Sequence, residues 1–68
     1  MSAWAIKNTN SGKYLYGTDY RYDPPHQRTA KEIARMYHTE ESALNDLVRR
    51  RCGTNYHVVE VELKEVDA

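Results

Sequence analysis

Phenylalanine is absent from the 68 residues, cysteine occurs once, proline twice and glycine three times. Each shortage excludes something. The single cysteine, Cys52, has no partner for an internal disulfide, and His26, His38 and His57 lack the spacing of a structural zinc site. No cofactor and no metal is therefore expected. No apolar run approaches the ~20 residues that span a bilayer, no secretory leader precedes Trp4, and a lone thiol suits a reducing compartment. These features predict a cytoplasmic chain with no membrane partner. Net charge is lacking too: ten basic residues balance ten acidic ones, which removes any global attraction to nucleic acid. The two ends differ, with a net of +2 over residues 1 to 28 and −3 over residues 52 to 68.

What stands in place of phenylalanine is six tyrosines and one tryptophan. Tyr14, Tyr16, Tyr20 and Tyr22 fall at even positions in one stretch, and a fully extended segment would carry all four rings on one face. Tyrosine keeps a hydroxyl for water or a partner's polar group, so such a row has the composition of an interface. Lys13, Asp19 and Arg21 would form its polar rim. The alternative is a sheet face partly closed by neighbouring loops, with the hydroxyls merely wet.

The length predicts one domain over residues 1–68, with a core so thin that self-association is the remaining source of support. A homodimer covering part of the tyrosine face is the expectation. Trp4 and Ile6 alternate with Ala5 and Lys7, the segment from Asn8 to Gly12 supplies turn chemistry, and Lys13 to Tyr16 resumes a strand, giving a hairpin over residues 3 to 16. Gly17-Thr18-Asp19 breaks or bulges the second strand, with Tyr20-Arg21-Tyr22 as its continuation. Asp23-Pro24-Pro25-His26 reads as a loop, because adjacent prolines donate nothing to a ladder. Residues 29 to 38 fit either helical spacing or a short strand at Arg35 to His38, and are read as a helical turn followed by that strand.

Thr39 has the features of an N-cap, followed by Glu40 and Glu41 where the helix dipole favours anions. Ala43, Leu44, Leu47 and Val48 form an apolar stripe, Arg49, Arg50 and Arg51 crowd the last turn, and Gly53 stands where a left-handed cap would close a helix over residues 40 to 51. Tyr56 to Leu63 alternates as a strand, and its Val59, Val61 and Leu63 face is expected to meet the helix. The fold class is α+β: a three- to four-stranded antiparallel sheet with one main helix packed on one face, in the order β-β-(β)-α-β. Trp4, beside Ile6, is expected in the core.

Trp4-Ala5-Ile6-Lys7-Asn8, Gly12-Lys13-Tyr14-Leu15, the run from Ala34 to Glu41 and the closing strand together resemble small uncharacterised proteins encoded by phages and prophages. The Asp-Pro-Pro-His loop and Cys52 depart from that pattern. The resemblance implies a compact α+β protein of a mobile genome that binds a host or viral protein, and it carries over no catalytic residue.

No constellation for catalysis stands out. Cys52 and His57 straddle a Gly-Thr-Asn turn, but an idle cysteine and a surface histidine explain them as well. The expected role is thus non-enzymatic protein binding through Tyr14, Tyr16, Tyr20, Tyr22 and Arg21. The alternative is a nucleic-acid module that pairs Arg49, Arg50 and Arg51 with tyrosine stacking.

Overall fold

The computed structural model describes residues 2–62. Four strands, β1 (Ser2–Asn8), β2 (Tyr14–Asp19), β3 (His26–Ala30) and β4 (Tyr56–Glu62), and one helix, α1 (Glu40–Arg49), follow one another with α1 between β3 and β4. The sheet order is β3-β2-β1-β4, and every neighbouring pair is antiparallel. This is an α+β chain with a four-stranded sheet.

The opening hairpin forms because Asn8 organises its turn. The Asn8 side-chain oxygen accepts from the backbone N–H groups of Asn10 and Ser11, both at 2.9 Å, and Gly12 takes the left-handed conformation that redirects the chain into β2. Pairing between β1 and β2 is limited to the neighbourhood of Lys7 and Tyr14. Beyond it, residues 35 to 37 enter the gap: the Arg35 N–H donates to the Leu15 carbonyl at 2.9 Å, while Trp4 and Tyr37 exchange backbone bonds of 2.9 and 2.8 Å. The expected helical turn within residues 29 to 38 is therefore not formed. Thr29 and Ala30 complete β3, and the short strand reduces to a single bridge at Tyr37.

Strand β3 itself was not expected. Its sequence, His-Gln-Arg-Thr-Ala, has no apolar alternation because it lies at the sheet edge, where polar residues are tolerated. Strand β2 ends at Asp19, so Tyr20-Arg21-Tyr22 forms the turn toward β3 instead of prolonging the strand.

The core is small. Ile6 and Leu15 are the large side chains fully shielded from solvent; Cys52 joins them, and Tyr37, Leu47, Tyr56 and Val58 pack around the three. Because Ile6 pairs with Val58 and Ala5 with Val59, the core takes the Tyr56 and Val58 face of β4. The expected assignment of Val59 and Val61 to the helix side is thus reversed, and Leu63 lies outside the described residues. The cause is parity: β1 puts its largest aliphatic side chain, Ile6, on one face and Ala3 and Ala5 on the other, and β4 must follow its partner's register. Trp4, expected in the core, is only half-buried.

Helix α1 begins as its sequence predicts. Thr39 is extended and its hydroxyl accepts from the Ser42 N–H at 3.1 Å, with Glu40 and Glu41 in the first turn. It ends earlier than expected, in a Schellman arrangement: Arg51 N–H bonds the Val48 carbonyl, Cys52 N–H bonds the Leu47 carbonyl, and Arg51 itself holds a left-handed φ of 53°. Arg51 thus occupies the cap position assigned to Gly53. The apolar stripe is also only half used. Ala43 and Leu47 turn inward, but Leu44 is exposed and Val48 is 72% exposed, while the polar Asp46 and Arg50 are buried.

Candidate functional site

Two surfaces hold the chemistry of the chain. The first surrounds the β2–β3 turn. Asp19, buried at the end of β2, accepts from the backbone N–H of Arg21 at 3.0 Å and from its guanidinium at 2.7 to 3.2 Å, and receives Arg28 across the ladder at 3.1 Å. The Arg21 hydrogen bonds, with Arg28 beside them, hold the Asp19 carboxyl well below the usual carboxylate range. This clamp fixes a turn that would otherwise be open chain.

The tyrosines are distributed around that turn and do not form one row. Tyr14 is half-buried, with the Lys7 ammonium 5.6 Å from its ring centroid. Tyr16 is the extra residue of a bulge, since Leu15 faces Thr29 and Gly17 already faces Arg28. Tyr20 and Tyr22 lie in the turn, and the Tyr22 ring stacks on His26 with centroids 3.8 Å apart. The expected single face therefore fails: a bulge and a turn interrupt the even spacing. What persists is exposure, at 39% for Tyr16, 59% for Tyr20 and 48% for Tyr22.

The second surface is a groove between α1 and the segment that carries Arg35 and Tyr37, with a volume of about 320 Å³ and walls formed by Arg35, Tyr37, Ser42, Asn45, Asp46 and Arg49. Its four helical residues recur at i, i+3, i+4 and i+7, so they lie along one side of α1. Asp46 is the hub. One carboxylate oxygen accepts from Arg49 at 3.0 and 2.6 Å; the other accepts from Arg50 at 2.6 Å and from the Tyr37 hydroxyl in a short hydrogen bond. Arg50, 7% exposed, continues inward: it donates to the Thr18 hydroxyl at 2.8 Å, Thr18 donates to the Gln27 side chain at 2.6 Å, and Gln27 returns a bond to the Arg50 carbonyl at 2.8 Å. This closed circuit ties the helix end to β2 and β3 and satisfies a carbonyl that the helix leaves free.

That circuit changes the reading of the arginine run. Arg50 is consumed by the interior, so it presents nothing to a nucleic-acid phosphate. Arg49 is exposed but anchored on Asp46, and Arg51 lies 3.5 Å from Asp23 on the surface. The three arginines diverge and do not form a stripe. The Asp46-to-Arg50 spacing of four residues is a signal available without coordinates, since residues at i and i+4 lie on one side of a helix.

Burial pushes the Asp46 carboxyl upward, but hydrogen bonds from Tyr37, Arg50 and Arg49 outweigh it and hold the group at about 2, against an ordinary 3.8. Tyr37 moves the other way, to about 12, through burial and its bond to Asp46. The two signs bracket the stability range. A carboxyl whose folded pKa is depressed stabilises fully above pH 4, and that contribution is lost as pH falls toward 2. A phenol whose folded pKa is raised stabilises below pH 10, and its contribution is lost as pH rises toward 12. Urea midpoints are therefore expected to be level from about pH 5 to 9 and to fall on both sides; a midpoint unchanged from pH 7 to pH 2.5 would contradict the Asp46 assignment.

Cys52 and His57 do not meet as a catalytic pair. The Cys52 thiol is buried, which raises its pKa, and His57 Nδ1 lies 3.0 Å from the Thr9 hydroxyl. Among the described residues no three His, Cys, Asp or Glu side chains gather as metal ligands, and no helix is long and apolar enough to cross a membrane. No family model, no curated protein and no solved structure matches the chain.

Proposed function

We propose that this chain is a small non-enzymatic binding protein of the cytoplasm, encoded by a phage or prophage, that engages a host or viral protein through Tyr16, Tyr20 and Tyr22 around the β2–β3 turn. The reading rests on one observation: three tyrosine rings stay 39 to 59% exposed beside a turn that the Asp19–Arg21–Arg28 clamp holds in place. Rigid aromatic rings bury much area on association while losing little rotational freedom. Arg21 and Arg28, both exposed, supply the charged rim that such a contact needs, and a fixed turn limits the entropy lost on docking. Self-association over part of the same rings belongs to this reading.

The experiment is affinity capture from a lysate of the native host, comparing the unaltered chain with Tyr16→Ala and with Tyr20→Ala. Both rings are exposed, so both variants keep the fold, as a thermal melt on the same samples would establish. Loss of the captured protein on Tyr16→Ala or Tyr20→Ala is expected, on the order of a tenfold fall in recovered partner. Equal capture by all three chains would refute the assignment.

A further inference from the structure

The groove beside α1 has more positive charge than its own carboxylate uses. Among the described residues Arg35, Arg49 and Arg50 converge on Asp46 alone, so three guanidinium charges share one carboxylate. Asp46 has no acceptor site to spare, since its oxygens are occupied by Tyr37, Arg49 and Arg50. It therefore orients the cations and takes up one charge of three. Arg35 differs from its neighbours. Its guanidinium approaches Asp46 only to 3.8 Å and makes no hydrogen bond among the described residues, so its forked donors are uncommitted. Ser42 accepts from the Thr39 hydroxyl at 3.0 Å and keeps its own proton to give, and the Asn45 amide lines the same wall.

We propose that this groove binds a terminal phosphate, held by Arg35 and Arg49 with Ser42 and Asn45 as neutral donors. The charge decides the class. A phosphate monoester carries about −1.5 to −2 at neutral pH and matches the surplus, whereas a carboxylate or a backbone diester brings a single charge. Planar guanidinium groups suit paired phosphate oxygens, and a volume of about 320 Å³ admits the phosphate with the first atoms of whatever bears it. None of the exposed tyrosines lines the groove, so its walls are side chains other than those of the proposed protein-binding surface. The phosphate can belong to a small phosphorylated molecule or to a phosphorylated side chain, and both present the same dianion.

The test is an NMR titration of the isotopically labelled full chain at constant ionic strength, with three probes: inorganic phosphate, glycerol phosphate and N-acetyl-phosphoserine amide. Saturable shifts confined to the amides of Arg35, Ser42, Asn45 and Arg49 are expected. Arg35→Gln loses no hydrogen bond and so leaves the fold intact; it is expected to weaken binding of inorganic phosphate by about tenfold or more. Lys31→Gln removes the same charge outside the groove and is expected to change affinity by less than about twofold. Tighter binding of either ester than of inorganic phosphate supports the site and identifies the source. Shifts outside the groove, or equal weakening by Arg35→Gln and Lys31→Gln, would overturn the proposal by reducing it to general attraction.

Discussion

Asp46→Ala is expected to destabilise the chain by about 3–5 kcal/mol, the range found when one member of a buried ion pair is removed. The reason lies in what stays behind. Arg50 is 7% exposed and would keep its charge in the interior without a counterion, while the Tyr37 hydroxyl would lose the acceptor it now meets. A domain of this length has a total stability of roughly 3–10 kcal/mol, so the loss is a large fraction of the whole margin. Urea denaturation followed by far-UV circular dichroism reads the effect directly. A loss below about 1 kcal/mol would mean that Arg50 escapes to water and that the circuit through Thr18 and Gln27 contributes little.

Leu15→Ala is the second large effect. Leu15 and Ile6 are the only large side chains with no solvent contact among the described residues, and they sit on adjoining strands beneath Leu47, Tyr37 and Cys52. Truncating a buried leucine costs about 3–5 kcal/mol, part of it transfer free energy and part the cavity left behind. Here the cavity term stands near the top of that range, because the ladder on one side and the Arg35 bond to the Leu15 carbonyl hold the backbone where it is. The measurement is the same denaturation curve. A cost under about 1.5 kcal/mol would show that neighbouring chain collapses into the space and that the core is less close-packed than described.

The sequence exposes some of this structure and hides the rest for physical reasons. The hairpin, the Thr39 cap, the helix and the last strand each carry a local signal: Asn8 to Gly12 for the turn, a threonine followed by two glutamates for the cap, alternation for the strand. Local signals decide local structure, and the α+β class follows from their order. Three features depend on contacts distant in sequence. Strand β3 is written in polar residues because it borders solvent. The face that β4 buries is set by its register with β1, and valines on both of its faces leave that choice open. The roll of α1 is set by Asp46 and Arg50, which find Tyr37, Thr18 and Gln27 inside and so turn Leu44 and Val48 out to solvent.

The tyrosines illustrate the same limit at the site. Even spacing predicts a shared face only while the backbone stays extended, and here a bulge at Tyr16 and a turn after Asp19 intervene. Their exposure survived the change in geometry, whereas the row did not. The arginine groove was missed altogether. Asp46 and Arg49 are neighbours on α1, but Arg35 reaches them only because residues 35 to 37 are threaded between β1 and β2.

A double-mutant cycle on Asp46 and Arg50 tests most directly whether an internal ion cluster docks α1 and thereby leaves the groove its surplus charge. Stability would be measured by urea denaturation for the unaltered chain, Asp46→Leu, Arg50→Met and the double variant. Each single change is expected to cost about 3 kcal/mol or more, and the double variant to recover most of that loss, because removing both partners leaves no uncompensated charge inside. Costs that simply add would contradict the account, since the two side chains would then act independently and the helix would be held by something else.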